Sequence, residues 1–241
     1  LMRSSASSDV YKRQPEDQLE EICKKYWNNS GVRRYYIDRY FEKKEYDRVL
    51  QVLDESIELD KAYRGQVLEY NQKKKEIYRL QGNKSAYIEQ LWKVVLEQSA
   101  GDLDIYKELK AQYSEKEWLI KREELFKKLS ANAHIDRVYK EEKLYDRLLA
   151  YVLKSSGLYA VQSYENVLKK EYPKQILSKY QGEVNKMASC TGNRKHYADL
   201  VALLRRMKRI KGGSEIVETI VEEWKIKYRN RPAMMDELSK L

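Results

Sequence analysis

The sequence predicts an all-α protein, a solenoid-like array of antiparallel helix pairs. Three observations predict it. Apolar residues recur at i, i+3, i+4 and i+7 along most of the chain, the spacing of one buried helix face. Only 9 Gly and 3 Pro interrupt 241 residues. And one helix is written twice: residues 42–50 read EKKEYDRVL and residues 141–149 read EEKLYDRLL. From Tyr46 to Tyr145 is 99 residues, room for three helix-pair units of about 33 residues each. Tyr46, Val49, Leu50 and Leu53 share one face of the first copy, and Tyr145, Leu148, Leu149 and Val152 one face of the second. Asp47 and Arg48 are sequence neighbours and do not face each other across a helix. The tripeptide therefore reads as a buried tyrosine with solvated charges beside it, rather than as a Tyr-Asp-Arg site used twice.

The elements follow in order. Pro15 suits a first helical turn, with Glu16, Asp17, Glu20 and Glu21 at the positive end of the dipole, and Leu19, Ile22, Cys23 and Tyr26 form the stripe. Asn28–Gly31 breaks it. A second helix runs over 32–43 with Tyr36, Ile37 and Tyr40 inward, and the first repeated helix over 45–58. The charged stretch 61–80 offers Val67, Leu68, Ile77 and Leu80, and ends at Gly82-Asn83. Residues 87–98 carry Leu91, Trp92, Val95 and Leu96. Asp102 is an N-cap for a short helix, and Ser114 with Glu117 a capping box for one bearing Trp118, Leu119, Leu125 and Leu129. After the second repeated helix come helices over 158–170 and 173–188. Gly192-Asn193 gives a stop and a cap before 194–211, Gly212-Gly213-Ser214 again before 214–230, and Pro232 opens a last one. About a dozen helices with short connections make neighbours antiparallel, a TPR-like or related helical-repeat domain over 15–241.

Composition narrows the class. Charged residues make up 36% of the chain, against roughly 25% in ordinary domains, which means wide solvated faces. Tyrosine is used 21 times against 2 Phe; a Tyr ring buries apolar area while its hydroxyl stays at a wet edge, as thin helical layers require. The longest apolar run is 148–153, well short of the ~20 residues that span a bilayer. Cys23 and Cys190 stand alone, which points to a reducing, cytoplasmic setting. Residues 1–14, LMRSSASSDVYKRQ, are Ser-rich and without helical period. They read as a non-native leader, either adapter read-through at the end of a metagenomic fragment or a linker, and are set aside.

No catalytic residues are legible. Gly82-Asn83-Lys84-Ser85 lacks the glycines of a phosphate loop, there is no Gly-x-Ser-x-Gly elbow, and an enzyme with an unrecognised site is the least favoured reading. No cofactor is expected, since Cys190 with His196 and Cys23 with His134 fall short of the four ligands zinc takes. The most suggestive stretch is the basic helix 194–211. Arg194, Lys195, Arg205, Arg206, Lys208, Arg209 and Lys211 are opposed by Asp199 alone, around a stripe of Tyr197, Leu200, Val201, Leu204 and Met207. Such a row can follow a phosphate backbone, direct DNA or RNA binding, can meet an acidic protein partner, or can be a solvated face with cations at a helix C-terminus. The net charge of +10 permits the first two.

The landmarks Arg194-Lys195-His196-Tyr197, Leu203–Lys208, Glu222-Glu223-Trp224 and Arg231–Leu238, with Asp104–Lys110 and Glu117-Trp118 before them, resemble the C-terminal helical region of bacterial SWIM zinc-finger proteins. The likeness runs from Asp104 onward and is weaker in the earlier helices. It implies a non-catalytic interaction module working with a protein partner. The family's Cys-x-Cys and Cys-x-His pairs are absent from this sequence, so the zinc is expected only upstream and the finger's ligands map onto no residue here.

Overall fold

The computed structural model describes residues 16–97, 101–129 and 133–241; the leader 1–14 lies outside them. Among the described residues every regular element is a helix. In chain order these are α1 (Glu16–Lys25), α2 (Ser30–Glu42), α3 (Tyr46–Leu59), α4 (Arg64–Leu80), α5 (Lys84–Glu97), α6 (Leu103–Lys110), α7 (Glu115–Lys128), α8 (Ile135–Glu141), α9 (Tyr145–Lys154), α10 (Tyr159–Leu168), α11 (Pro173–Ser189), α12 (Arg194–Lys208), α13 (Gly213–Lys227) and α14 (Pro232–Leu238). The chain divides into two compact units between Ile135 and Asp136.

In the first unit each helix packs chiefly on its sequence neighbour, from α1 on α2 through α5 on α6. In the second, α9 to α13 do the same and also touch second neighbours: α9 meets α11, α11 meets α13, and α12 meets α14. Second-neighbour packing closes a layer, and it explains why the second unit holds one continuous apolar core. That core runs from Leu148 and Val152 through Leu177, Tyr180, Val201 and Leu204 to Trp224 and Leu238. In the first unit one cluster gathers around Tyr40, Val49, Leu53 and Ile77, and Leu91, Val95, Tyr106, Leu109 and Leu125 are buried further along.

The repeated helix keeps its geometry in both copies. Lys44 (φ 61°) and Lys143 (φ 55°) adopt the left-handed conformation that ends the preceding helix. The next amide closes the stop, Glu45 N onto the Tyr40 carbonyl at 3.0 Å and Leu144 N onto that of Tyr139 at 2.8 Å. These are helix C-terminal stops built on Lys instead of Gly. Antiparallel pairing then brings the first turn of each copy to the turn beyond the following helix, where Asp47 accepts from Gln81 and Asp146 from Tyr172. Tyr46 and Tyr145 are half-buried against the two cores. One charge differs from expectation: Arg48 is only partly exposed, lying over the Tyr40 ring and donating to Tyr36 and Glu20.

Caps fall where the sequence puts them at Asp102, Ser114 with Glu117, and Asn193. Three expectations need correction. The face of α4 is Tyr70, Asn71, Lys74 and Ile77, with Val67 and Leu68 half-exposed and Leu80 exposed. Leu119 and Tyr26 are exposed too. And Ser214 is not the cap of α13: Gly212, at φ 80°, takes that place without a side-chain bond, and Gly213 is already helical.

Candidate functional site

The buried face of α12, Tyr197, Leu200, Val201, Leu204 and Met207, fixes its rotation and so decides where each cation goes. Three of the seven turn back onto the protein. Arg194 pairs with Asp236 at 2.8 Å and reaches Glu237 at 3.6 Å, both on α14. Arg205 donates to the Lys240 carbonyl. Arg206 reaches α10, bonding the Glu165 carboxylate and, at 3.1 Å, the Gln162 carbonyl. Among the described residues no carboxylate pairs with Lys195, Lys208, Arg209 or Lys211. The helix stops at Lys208, three residues before the expected end, so Arg209 is its C-cap and Lys211 belongs to the turn that follows. Lys195 stands alone at the N-terminal end. The cationic row is thus a short cluster at one end of α12, not a track along it.

That end is shaped by the turn into α13. A Cβ added at Gly213 would lie 1.9 Å from the Met207 carbonyl oxygen, so only glycine lets α13 start tight against the end of α12. Because α11, α12 and α13 run up, down and up, the starts of α11 and α13 come to the same end as the cations. Between them lies a groove of 540 Å³, with Pro173, Lys174 and Leu177 of α11 on one side and Lys211, Glu215 and Ile216 on the other. Neither Tyr172 nor Gly212 caps its helix with a side chain, which leaves the first amides of both helices without a side-chain acceptor.

Composition hinted at a second kind of cluster through its tyrosines but did not locate it. Arg33 is wholly buried, an assignment no apolar periodicity could make. Its guanidinium bonds Ser56 at 3.1 Å, the Trp27 carbonyl at 2.6 Å and Asp60 at 2.5 Å, and Tyr70 donates to the same carboxylate at 2.7 Å. Burial would raise Asp60, but the bonds from Arg33 and Tyr70 outweigh it and hold the carboxyl below its usual range. Glu165 behaves alike: burial is opposed by Tyr180 and Arg206, and the net direction is down. Burial and the bond to Glu108 push the Tyr87 phenol up to about 12. Tyr164 bonds Asp136 in the second unit, and burial followed by that bond raises it as well. Phenols held in this way stay protonated at neutral pH and act as donors, and their bonds tie neighbouring helices together.

Among the described residues no group of three or more His, Cys, Asp and Glu side chains could hold a metal ion. Burial raises the Cys23 thiol, which makes it a poor ligand or nucleophile. The His196 ring lies 3.0 Å from the Met187 carbonyl, a helix-start contact rather than a ligand pose. No helix of the described residues is long and apolar enough to cross a membrane. No family model, curated protein or solved structure matches the chain.

Proposed function

We propose that this chain is a non-catalytic helical binding module, the C-terminal interaction region of a SWIM zinc-finger-type protein, and that it meets an acidic protein partner through the cationic end of its second unit. One observation carries the reading: of the four cations of the stretch 194–211 that no carboxylate pairs with among the described residues, three, Lys208, Arg209 and Lys211, are gathered at one end beside a groove with an apolar floor. Charge segregation supports it. Residues 136–241 hold 22 basic and 14 acidic side chains, a net of +8 out of the chain's +10. A nucleic-acid backbone would favour a longer row of free cations, because its affinity grows with each phosphate neutralised. The bonds of Arg194, Arg205 and Arg206 shorten that row.

The test is fluorescence anisotropy with a labelled peptide rich in Asp and Glu, beside DNA and RNA oligonucleotides of random sequence. The peptide is expected to bind, more weakly as salt rises, and Arg209→Glu with Lys211→Glu to weaken it. Tighter binding of the oligonucleotides, lost in the same variants, would overturn the protein-partner reading.

A further inference from the structure

We propose that the groove between the start of α11 and the α12–α13 turn binds an acidic peptide segment with an apolar anchor: a Leu-like side chain on the groove floor and carboxylates on its rim. The proposal rests on the acidic-partner reading and names its site. The floor is apolar, from Pro173, Leu177 and Ile216, and a volume of 540 Å³ exceeds that of a single large aliphatic side chain, leaving room for a turn of backbone.

Three sources of positive potential converge on the rim. Lys174 and Lys211 line it directly. The positive ends of α11 and α13, helices of 17 and 15 residues, point the same way. Arg209 lies two residues from Lys211 on the same exposed end. Glu215 is the one carboxylate on the lining. It sits in the first turn of α13, where the dipole favours it, and it opposes an acidic ligand.

The groove is built in advance of any ligand. Gly213 is pinned between the Met207 carbonyl and Leu177, and Leu177 belongs to the unit's core, so the two walls are held by packing that does not depend on what fills the space. A preformed site avoids the ordering cost that weakens adaptable surfaces.

The test uses the full chain and two labelled peptides of equal charge. One carries Glu and Asp around two Leu; in the other both Leu are Ser. The Leu peptide is expected to bind roughly tenfold more tightly, the effect of burying one such side chain. Lys174→Glu with Lys211→Glu should abolish most of that binding, and Glu215→Gln should raise it by about two- to threefold through loss of a like charge. The amide signals of Gly212 and Gly213 in a heteronuclear NMR spectrum should move with the Leu peptide and not with the Ser peptide. Equal binding of the two peptides, both weakened by Arg209→Glu, would overturn the groove while leaving the acidic-partner reading in place. No binding of either peptide at about 1 mM would overturn both.

Discussion

The two units solve the same problem with different chemistry. Both open a helix with Tyr-Asp-Arg behind a left-handed Lys, and both set an aspartate of the first turn against the turn beyond the next helix. Then they part. In the first unit Arg48 is drawn inward onto Tyr36, Tyr40 and Glu20, beside the wholly buried Arg33. In the second, Arg147 is exposed, and the buried Glu165, held by Tyr180 and Arg206, is set into a core that is otherwise largely apolar. The first unit places cations where they join helices. The second leaves most of its excess charge on the surface, where a partner can read it.

If that contrast is right, the largest effect belongs to the buried pair of the first unit. Asp60→Ala leaves Arg33 charged and without its carboxylate inside the protein, and should destabilise the first unit by about 3–5 kcal/mol. Hydrogen exchange resolved by segment should show protection lost over α2 to α4 and kept over α9 to α13. Replacing both partners, Arg33→Met with Asp60→Leu, should recover much of the loss, since an apolar pair of similar volume is often neutral. A double variant as unstable as the single one would mean that the bonds to Ser56 and Trp27, not the ion pair, hold the unit.

Acid sharpens the same contrast. Glu20, Asp60 and Glu108 in the first unit are held below the usual carboxylate range, as are Glu165 and Glu183 in the second. A depressed carboxyl adds stability that is complete above its unfolded value and is lost as pH falls through the folded one. Stability should therefore be flat above about pH 5 and decline below it. Because the first unit buries Arg33 against Asp60 and leaves that guanidinium unpaired once the carboxyl is protonated, its exchange protection should fail at higher pH than the second's. Simultaneous failure would show that the units do not differ in what holds them.

How far the sequence carried this follows from the same physics. Helical periodicity, caps and glycine stops act within a few residues, so the element order apart from the short α8, the caps at Asp102, Ser114 and Asn193, and the repeated helix were legible. The polar faces were not. Arg33, Asn71, Lys74 and Glu165 are buried because partners 15 to 41 residues away complete them, Glu165 alone joining Tyr180 and Arg206, and no local pattern marks a cation as paired. The same blindness made α12 read as a continuous basic row. Its acceptors lie on α10 and α14 and beyond the end of α14, at positions that spacing along α12 says nothing about. Val67, Leu68 and Leu119 were misread for the converse reason, an apolar residue being no guarantee of a buried one.

A smaller effect tests the turn that shapes the groove. Gly213→Ala forces a methyl into the Met207 carbonyl and should destabilise the second unit by about 1–3 kcal/mol, the usual cost of overpacking, with a lower midpoint in urea for α11 to α13 alone. Gly182→Ala is its control. That glycine lies within α11 with open space around its Cβ, so the change should stabilise the helix slightly, by up to about 1 kcal/mol. If both substitutions act alike, the close approach at Gly213 is not a constraint.

The smallest effect bears most directly on function. Arg209→Glu with Lys211→Glu changes the charge at the end of α12 by four units, yet among the described residues neither has an internal acceptor, and both are exposed. Stability should shift by no more than about 0.5 kcal/mol, as for surface positions without a structural role, part of that from cations lost beside the negative end of the α12 dipole. Arg206→Glu is the matched comparison. It is one helical turn away, but it would set two carboxylates together at Glu165 and should unfold a large fraction of the second unit. Thermal melts of the two variants separate cations that hold the fold from cations the fold leaves over. Large losses in both would remove the physical ground for reading this end of the second unit as a surface kept for a partner.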